Sequence, residues 1–273
     1  MKSGVLIMNF RKLCFKTFLC LALIFFGAAQ LTYVSYKKDM LLLKSIVHAN
    51  ISPQYSPTLF ESANHWVYKN QGFKKNHDFF LFPALGPTPI QVLEKGGDCA
   101  DKSRLLMALL ESIGIDSSLV MLYSTDGQTA THTVLEVRDA QLKAIADPVF
   151  DMVFPKPNNG YYGLQELRKN PEILLSRLDE LVQLRGEKNK IAFYNRANET
   201  YQFATTLNWN KNALLRFVAS SLKKMGIEAN TVRRPHFLDD PKYFLAILFF
   251  VTSLLLVIFA WLIKKLNNTS QTN

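Results

Sequence analysis

At 273 residues, 48% of them hydrophobic and 20% charged, the chain has room for one substantial domain with a sizeable core and for flanking segments. Its 32 Lys and Arg outnumber 22 Asp and Glu, but four basic residues precede the first apolar run and two follow the second, leaving 26 against 22, or +4, between them. With no basic stripe carrying interleaved aromatics, that balance excludes a nucleic-acid footprint, and the cations beside the apolar runs suit phospholipid headgroups instead.

Lys2, Arg11, Lys12 and Lys16 stand before an apolar run from Thr17 to Ala29 that weakens through Gln30, Thr32 and Tyr36. Behind a tail of residues 1–12, the segment 13–34 reads either as a membrane anchor or as a signal peptide, with Gly27 and Ala29 small enough for cleavage. Both readings send the following chain across the membrane. In the connector, residues 35–55, a short helix is expected over Met40–Val47, ended by Asn50 and a turn at Pro53. Ser56 as N-cap, Pro57 at the first helical position and Glu61 predict the next helix. Its core stripe is Leu59, Ala63, Trp66 and Val67, and it ends near Asn70. Gln71-Gly72 and Lys74-Lys75-Asn76 mark a loop, and Thr88-Pro89 opens a helical turn through Val92 and Leu93.

Gly96 and Gly97 break that turn, and Asp98 is a good N-cap. Leu106, Leu109, Leu110 and Ile113 then recur at helical spacing until Gly114 supplies a stop. Cys99 falls in the first turn, where unpaired backbone N–H groups and the helix dipole favour an anion, the setting that makes a thiol a nucleophile. A small buried residue is the alternative reading of a cysteine there. Asp98 and Asp101 read as a cap and a first-turn dipole partner. Cys14 and Cys20 fall in or beside the first apolar run, so Cys99 is alone in the rest of the chain. A lone thiol in an oxidising compartment calls for burial or catalysis as its reason.

After Gly114 the period changes, and Ser118–Tyr123, His132–Arg138 and Leu142–Asp147 are expected strands, the last two forming a hairpin. A hairpin loop centred on Asp139 and Ala140 places His132 directly across from Asp147, close enough for a carboxylate to meet an imidazole. A one-residue slip would put them on opposite faces. Beyond Asp151, the segments Tyr161–Leu167, Pro171–Leu184 and Trp209–Met225 are expected helices, while Ile191–Phe203 reads as strand or loop. The third helix carries Leu214, Phe217, Val218 and Leu222 on one side. Lys211, Arg216, Lys223 and Lys224 make another side basic, a solvated face with contact to anionic lipid as the alternative. Tyr243–Ile263 is 21 residues without a charge, bounded by Lys242 and by Lys264 and Lys265, which predicts a transmembrane helix before a tail of residues 264–273. His48, His65, His77 and His236 show no ligand spacing, so no metal site is expected. Asn50-Ile51-Ser52 and Asn198-Glu199-Thr200 match the glycosylation triplet. No phosphate-binding glycine loop or calcium-loop spacing is present.

Three motifs in order resemble the transglutaminase-like superfamily, a branch of the papain-like cysteine enzymes. They are Gly97-Asp98-Cys99-Ala100-Asp101-Lys102-Ser103 followed by Leu105, Leu106, Leu109 and Gly114, then Thr131-His132-Thr133-Val134-Leu135-Glu136-Val137, then Ala146-Asp147-Pro148. His132 follows Cys99 by 33 residues and Asp147 follows His132 by 15, matching the family's spacing. One departure is Thr133 and Val134, where family members often carry an aromatic.

The resemblance implies an α+β fold, with a catalytic helix packed on an antiparallel sheet over residues 56–154. A mostly helical extension, residues 155–242, and the two membrane helices would flank it. It implies a catalytic triad of Cys99, His132 and Asp147 that performs acyl transfer or amide hydrolysis on a peptide or protein through a thioester, with no cofactor. The partners expected are that substrate, the lipid bilayer and envelope-assembly proteins, with no nucleic acid. The expected location is the cell membrane, with both termini cytoplasmic and the catalytic domain extracytoplasmic. A non-enzymatic membrane scaffold that keeps the fold is the competing class.

Overall fold

The computed structural model describes residues 2–51, 59–124, 127, 129–138, 142–186 and 200–269. The chain divides into two compact units, one of residues 40–236 and one that joins residues 1–39 to 237–273. Among the described residues there are eight α-helices and a five-stranded antiparallel sheet, which makes the fold α+β.

In the unit of residues 40–236 the strands β1 (Ser117–Tyr123), β2 (Ala130–Arg138), β3 (Lys143–Asp147), β4 (Met152–Val153) and β5 (Thr200–Thr205) lie in the order β4-β3-β2-β1-β5. Alternation along the strands gives the sheet two apolar faces. Leu119, Leu135, Val137, Ala144 and Ala146 pack with Leu105, Leu106 and Leu109 of helix α4 (Cys99–Ser112) and with Phe60, Ala63 and Val67 of α2 (Leu59–Lys69). On the other face Val120, Leu122, Val134, Ile145 and Met152 meet α5 (Leu164–Lys169) and α6 (Glu172–Arg185) through Leu164, Leu167, Leu174, Leu178 and Leu181. The helix α3 (Pro89–Lys95) opens with Thr88 in a capping box with Gln91.

The hairpin register differs from the expected one. Leu135 pairs with Ala146 and Arg138 with Lys143, so the connection is residues 139–142 rather than a tight turn on Asp139 and Ala140, which lie outside the described residues. Leu142 accounts for the shift, since it packs on the α4 side of the core instead of entering the ladder. The shift is two residues, which preserves strand parity, so His132 and Asp147 still share a face and sit diagonally.

The sheet also draws on chain beyond residue 154. β5 completes it beside β1, with Met121 opposite Thr205, and α5 and α6 cover one face. The short helix expected over Met40–Val47 is the last part of α1, which runs unbroken over Lys2–Asn50. Ser56 and Pro57, the turn at Pro53 and residues 191–199 lie outside the described residues. Helix α7 (Ala213–Lys224) forms as expected from its period, but its apolar side is exposed and no residue of it is buried.

In the other unit α1 pairs with α8 (Pro241–Thr269), and the two helices are long and apolar enough to cross a membrane. Asp240 caps α8, accepting from the N–H groups of Lys242 and Tyr243. Tyr36 stacks on Tyr243 at 4.8 Å, Lys242 Nζ meets Asp39 at 2.5 Å, and Ser253 Oγ donates to the Ala22 carbonyl at 2.8 Å. Buried Ala22, Ala29, Ala246 and Ala260 let the two backbones approach closely.

The end of α4 is tied to the chain before α8 by charge. Arg233 donates to both oxygens of Asp116 at 2.7 and 2.9 Å and holds that carboxyl below its usual range. Glu111, whose 3.8 Å separation acts as charge, and Asp116, at 3.0 Å, raise the His236 imidazole above its ordinary 6.5. A raised value means that the folded state binds the proton more tightly. The stabilisation is therefore full below pH 6.5 and is lost as pH climbs through the folded value. Melting temperatures should show the protein losing its advantage over a His236→Gln variant across that window; a gap that stays constant with pH would refute the pairing.

Candidate active site

The start of α4 is built by residues whose replacement would force the neighbouring chain to shift. Gly96 has φ +78°, and a Cβ there would lie 2.9 Å from the Gln71 carbonyl oxygen. A Cβ on Gly97 would lie 2.3 Å from the Asp101 Cβ. The space is taken by a reciprocal cap in which Asp98 Oδ1 accepts from the N–H groups of Ala100 (2.9 Å) and Asp101 (3.1 Å), while Asp101 Oδ2 accepts from Asp98 N–H at 3.4 Å. Burial raises the Asp101 carboxyl and neighbouring Asp98 adds to it, against the pull of Arg104. Both aspartates are therefore structural. Cys99, the first residue of α4, is partly exposed.

Two side chains in the next turn fix where α4 sits. Ser103 Oγ, fully buried, donates to the Thr133 carbonyl at 3.0 Å and so ties the helix to β2 beside His132. Lys102 is 2% exposed, and its ammonium donates to the carbonyls of Val67 (2.7 Å), Tyr68 (3.3 Å) and Asn70 (3.0 Å). These are orphan carbonyls at the end of α2, and three acceptors match the three N–H groups of an ammonium. Burial lowers its pKa to about 8, which leaves it charged at neutral pH.

His132 Nε2 and Asp147 Oδ2 are 2.7 Å apart, with 4% and 0% of the two residues exposed. An ionised carboxylate only accepts, so with a neutral imidazole this contact puts the hydrogen on Nε2 and leaves the lone pair on Nδ1. The other oxygen of Asp147 accepts from the N–H groups of Val149 (2.8 Å) and Phe150 (3.2 Å). The Phe150 ring stands edge-on to the imidazole, centroids 5.5 Å apart.

The turn after Asp147 ends at Asp151, held at φ +51°. Its carboxylate meets His65 Nδ1 at 2.7 Å and Asn64 Nδ2 at 3.3 Å, both on α2. Arg185 of α6 donates to the carbonyls of Phe150 (2.8 Å) and Asp151 (2.7 Å). This clamp escaped the sequence reading, because partners 86 and 34 residues from Asp151 leave no local pattern.

Cys99 and His132 open onto one cavity of about 630 Å³, walled by Tyr68, Phe73, Lys102 and Phe150. A larger cavity of about 800 Å³, between β5 and α7, is lined by no cysteine or histidine. Trp66, partly buried, packs against the α4-side core, as its helical stripe predicts. Among the described residues, no cluster of His, Cys, Asp or Glu could hold a metal ion. Compared with family models, curated proteins and solved structures, the chain has no match. The resemblance to transglutaminase-like enzymes therefore rests on the three sequence motifs.

Gly97→Ala should open the cap and cost about 1–3 kcal/mol, seen as a lowered melting temperature in detergent micelles. An unchanged melting temperature would show that the clash relaxes freely. Lys102→Met should strand three carbonyls at a cost of roughly 1–3 kcal/mol, and hydrogen exchange should show lost protection at the end of α2 first. Exchange that rises uniformly over the whole unit would argue against this local role.

Proposed function

We propose that the chain is a membrane-anchored cysteine enzyme of the transglutaminase-like kind, acting on an amide of a peptide or protein. The observation that supports this most is the shared cavity, onto which a helix-start cysteine and a carboxylate-held histidine both open. In this reading the Cys99 thiolate attacks the amide carbonyl carbon and a C–S bond forms. The C–N bond then breaks as His132 delivers a proton to the departing amine, leaving a thioester. Water or an amine next attacks the thioester, His132 takes its proton, and the C–S bond breaks to return the thiolate. Asp147 holds the imidazole in the tautomer the reaction needs. The backbone N–H of Cys99, at the positive end of α4, is positioned to serve the developing oxyanion. Water as acceptor makes the protein a peptidase or amidase, and an amine makes it a transamidase.

The cavity wall of Tyr68, Phe73 and Phe150 suits an apolar side chain on the acyl donor. The two apolar helices serve as anchors, with both termini cytoplasmic and residues 40–236 outside, where peptide or envelope-assembly proteins are the substrates and partners in reach. Protease digestion of intact cells should cleave within that unit; cleavage only after lysis would reverse the orientation.

The enzyme reading is tested with the full-length protein in detergent micelles. Iodoacetamide should alkylate Cys99 well below pH 8, with a rate on the order of tenfold or more above that of a His132→Ala variant. Equal, slow labelling in both would sink the reading in favour of a scaffold. Asp147→Asn should lower turnover by roughly 10²–10⁴-fold with the fold intact by circular dichroism. Full turnover in that variant would remove Asp147 from the triad.

A further inference from the structure

The acyl-transfer reading makes no use of α7, yet α7 is the most unusual helix of its unit. Leu215, Ala219 and Leu222 are partly covered, whereas Leu214, Phe217 and Met225 are 70%, 69% and 73% exposed. With Val218, also exposed, these residues fall within an arc of about 100° at 3.6 residues per turn. A helix of a globular domain turns such an arc inward, and an exposed apolar patch marks a contact.

The charges around the arc select its occupant. Lys211 and Lys224 border it, while Arg216 and Lys223 lie on the opposite side of the helix, Lys223 lining the cavity beside β5, and no Asp or Glu occurs between Glu199 and Glu228. Among the described residues, neither Lys211, Lys223 nor Lys224 has a carboxylate partner, and Arg216 reaches only the Asn210 carbonyl. An apolar arc flanked by cations alone fits an anionic phospholipid surface. A second copy of the same face would oppose its two bordering cations to two more.

Lipid is also within reach of the chain. Residues 225–240 connect α7 to α8, one of the two membrane-spanning candidates, and even fully extended they reach no more than ~55 Å. Such a tether raises the local concentration of bilayer surface around α7.

We propose that α7 lies in the interface of an anionic bilayer, with Leu214, Phe217, Val218 and Met225 in the acyl-chain boundary and the bordering Lys211 and Lys224 at the lipid phosphates. This holds whether or not Cys99 is catalytic.

The test uses the full chain with Cys14, Cys20 and Cys99 changed to serine and a Phe217→Cys site carrying an environment-sensitive fluorophore. The protein is reconstituted in phosphatidylcholine vesicles with or without phosphatidylglycerol, with spin-labelled lipid as quencher. With phosphatidylglycerol, the emission should shift to the blue and be quenched several-fold more strongly than a Ser220→Cys label on another face. Each cation near an anionic surface is worth roughly fivefold in affinity, so Lys211→Glu with Lys224→Glu should abolish most of the quenching. A label that stays aqueous in both vesicles overturns the proposal. So does shielding that tracks the protein-to-lipid ratio instead of the lipid charge, since that would mean a second copy covers the arc.

Discussion

The site depends on a carboxylate buried away from solvent. Asp147 is wholly buried, where a polar group needs partners, and its oxygens meet the His132 ring and accept from the Val149 and Phe150 amides, three donors among its contacts. Each donor constrains a different piece of chain. The imidazole is held in one orientation at the start of β2, and the two amides force the chain to turn immediately after β3. That turn in turn delivers Phe150 to the edge of the imidazole and to the cavity wall.

A turn this constrained needs support from outside, and the structure supplies it from both sides of the sheet. His65 and Asn64 reach it from α2, and Arg185 reaches it from α6. Asp151 at φ +51° is a conformation that a non-glycine residue holds only when its surroundings over-determine it, and four side-chain contacts do so here. The layers on the two sides of the sheet are thereby coupled through one loop, which places the histidine–carboxylate pair relative to α4.

What was legible in the sequence follows from the range of the interactions involved. The helix that begins at Cys99 was readable to the residue, because a cap, a glycine break and a 3.6-residue period are all local. The hairpin was readable in its faces but not its register. Strand alternation survives a two-residue shift, and nothing local reveals whether Leu142 packs inside or outside the ladder. β5 was ambiguous for a similar reason, since its partner β1 lies some eighty residues earlier and its own segment carries Gln202 and Phe203 outward. The Asp151 clamp and the Lys102 carbonyl cage were not readable at all, as their donors and acceptors are far apart in the chain.

The Lys102 cage resolves an electrostatic conflict that the fold creates. The cavity receives two helix ends, the N-terminus of α4 at Cys99 and the C-terminus of α2 at Tyr68 and Lys69. The first carries a partial positive charge and the second a partial negative charge of opposite effect. Left bare, the carbonyls of Val67, Tyr68 and Asn70 would offset the field of α4 at the sulfur. An ammonium bonded to all three removes that opposition and satisfies the helix end at once. Lys102 stands three residues after Cys99 on the same helix, so the thiol and the neutralising cation move as one body.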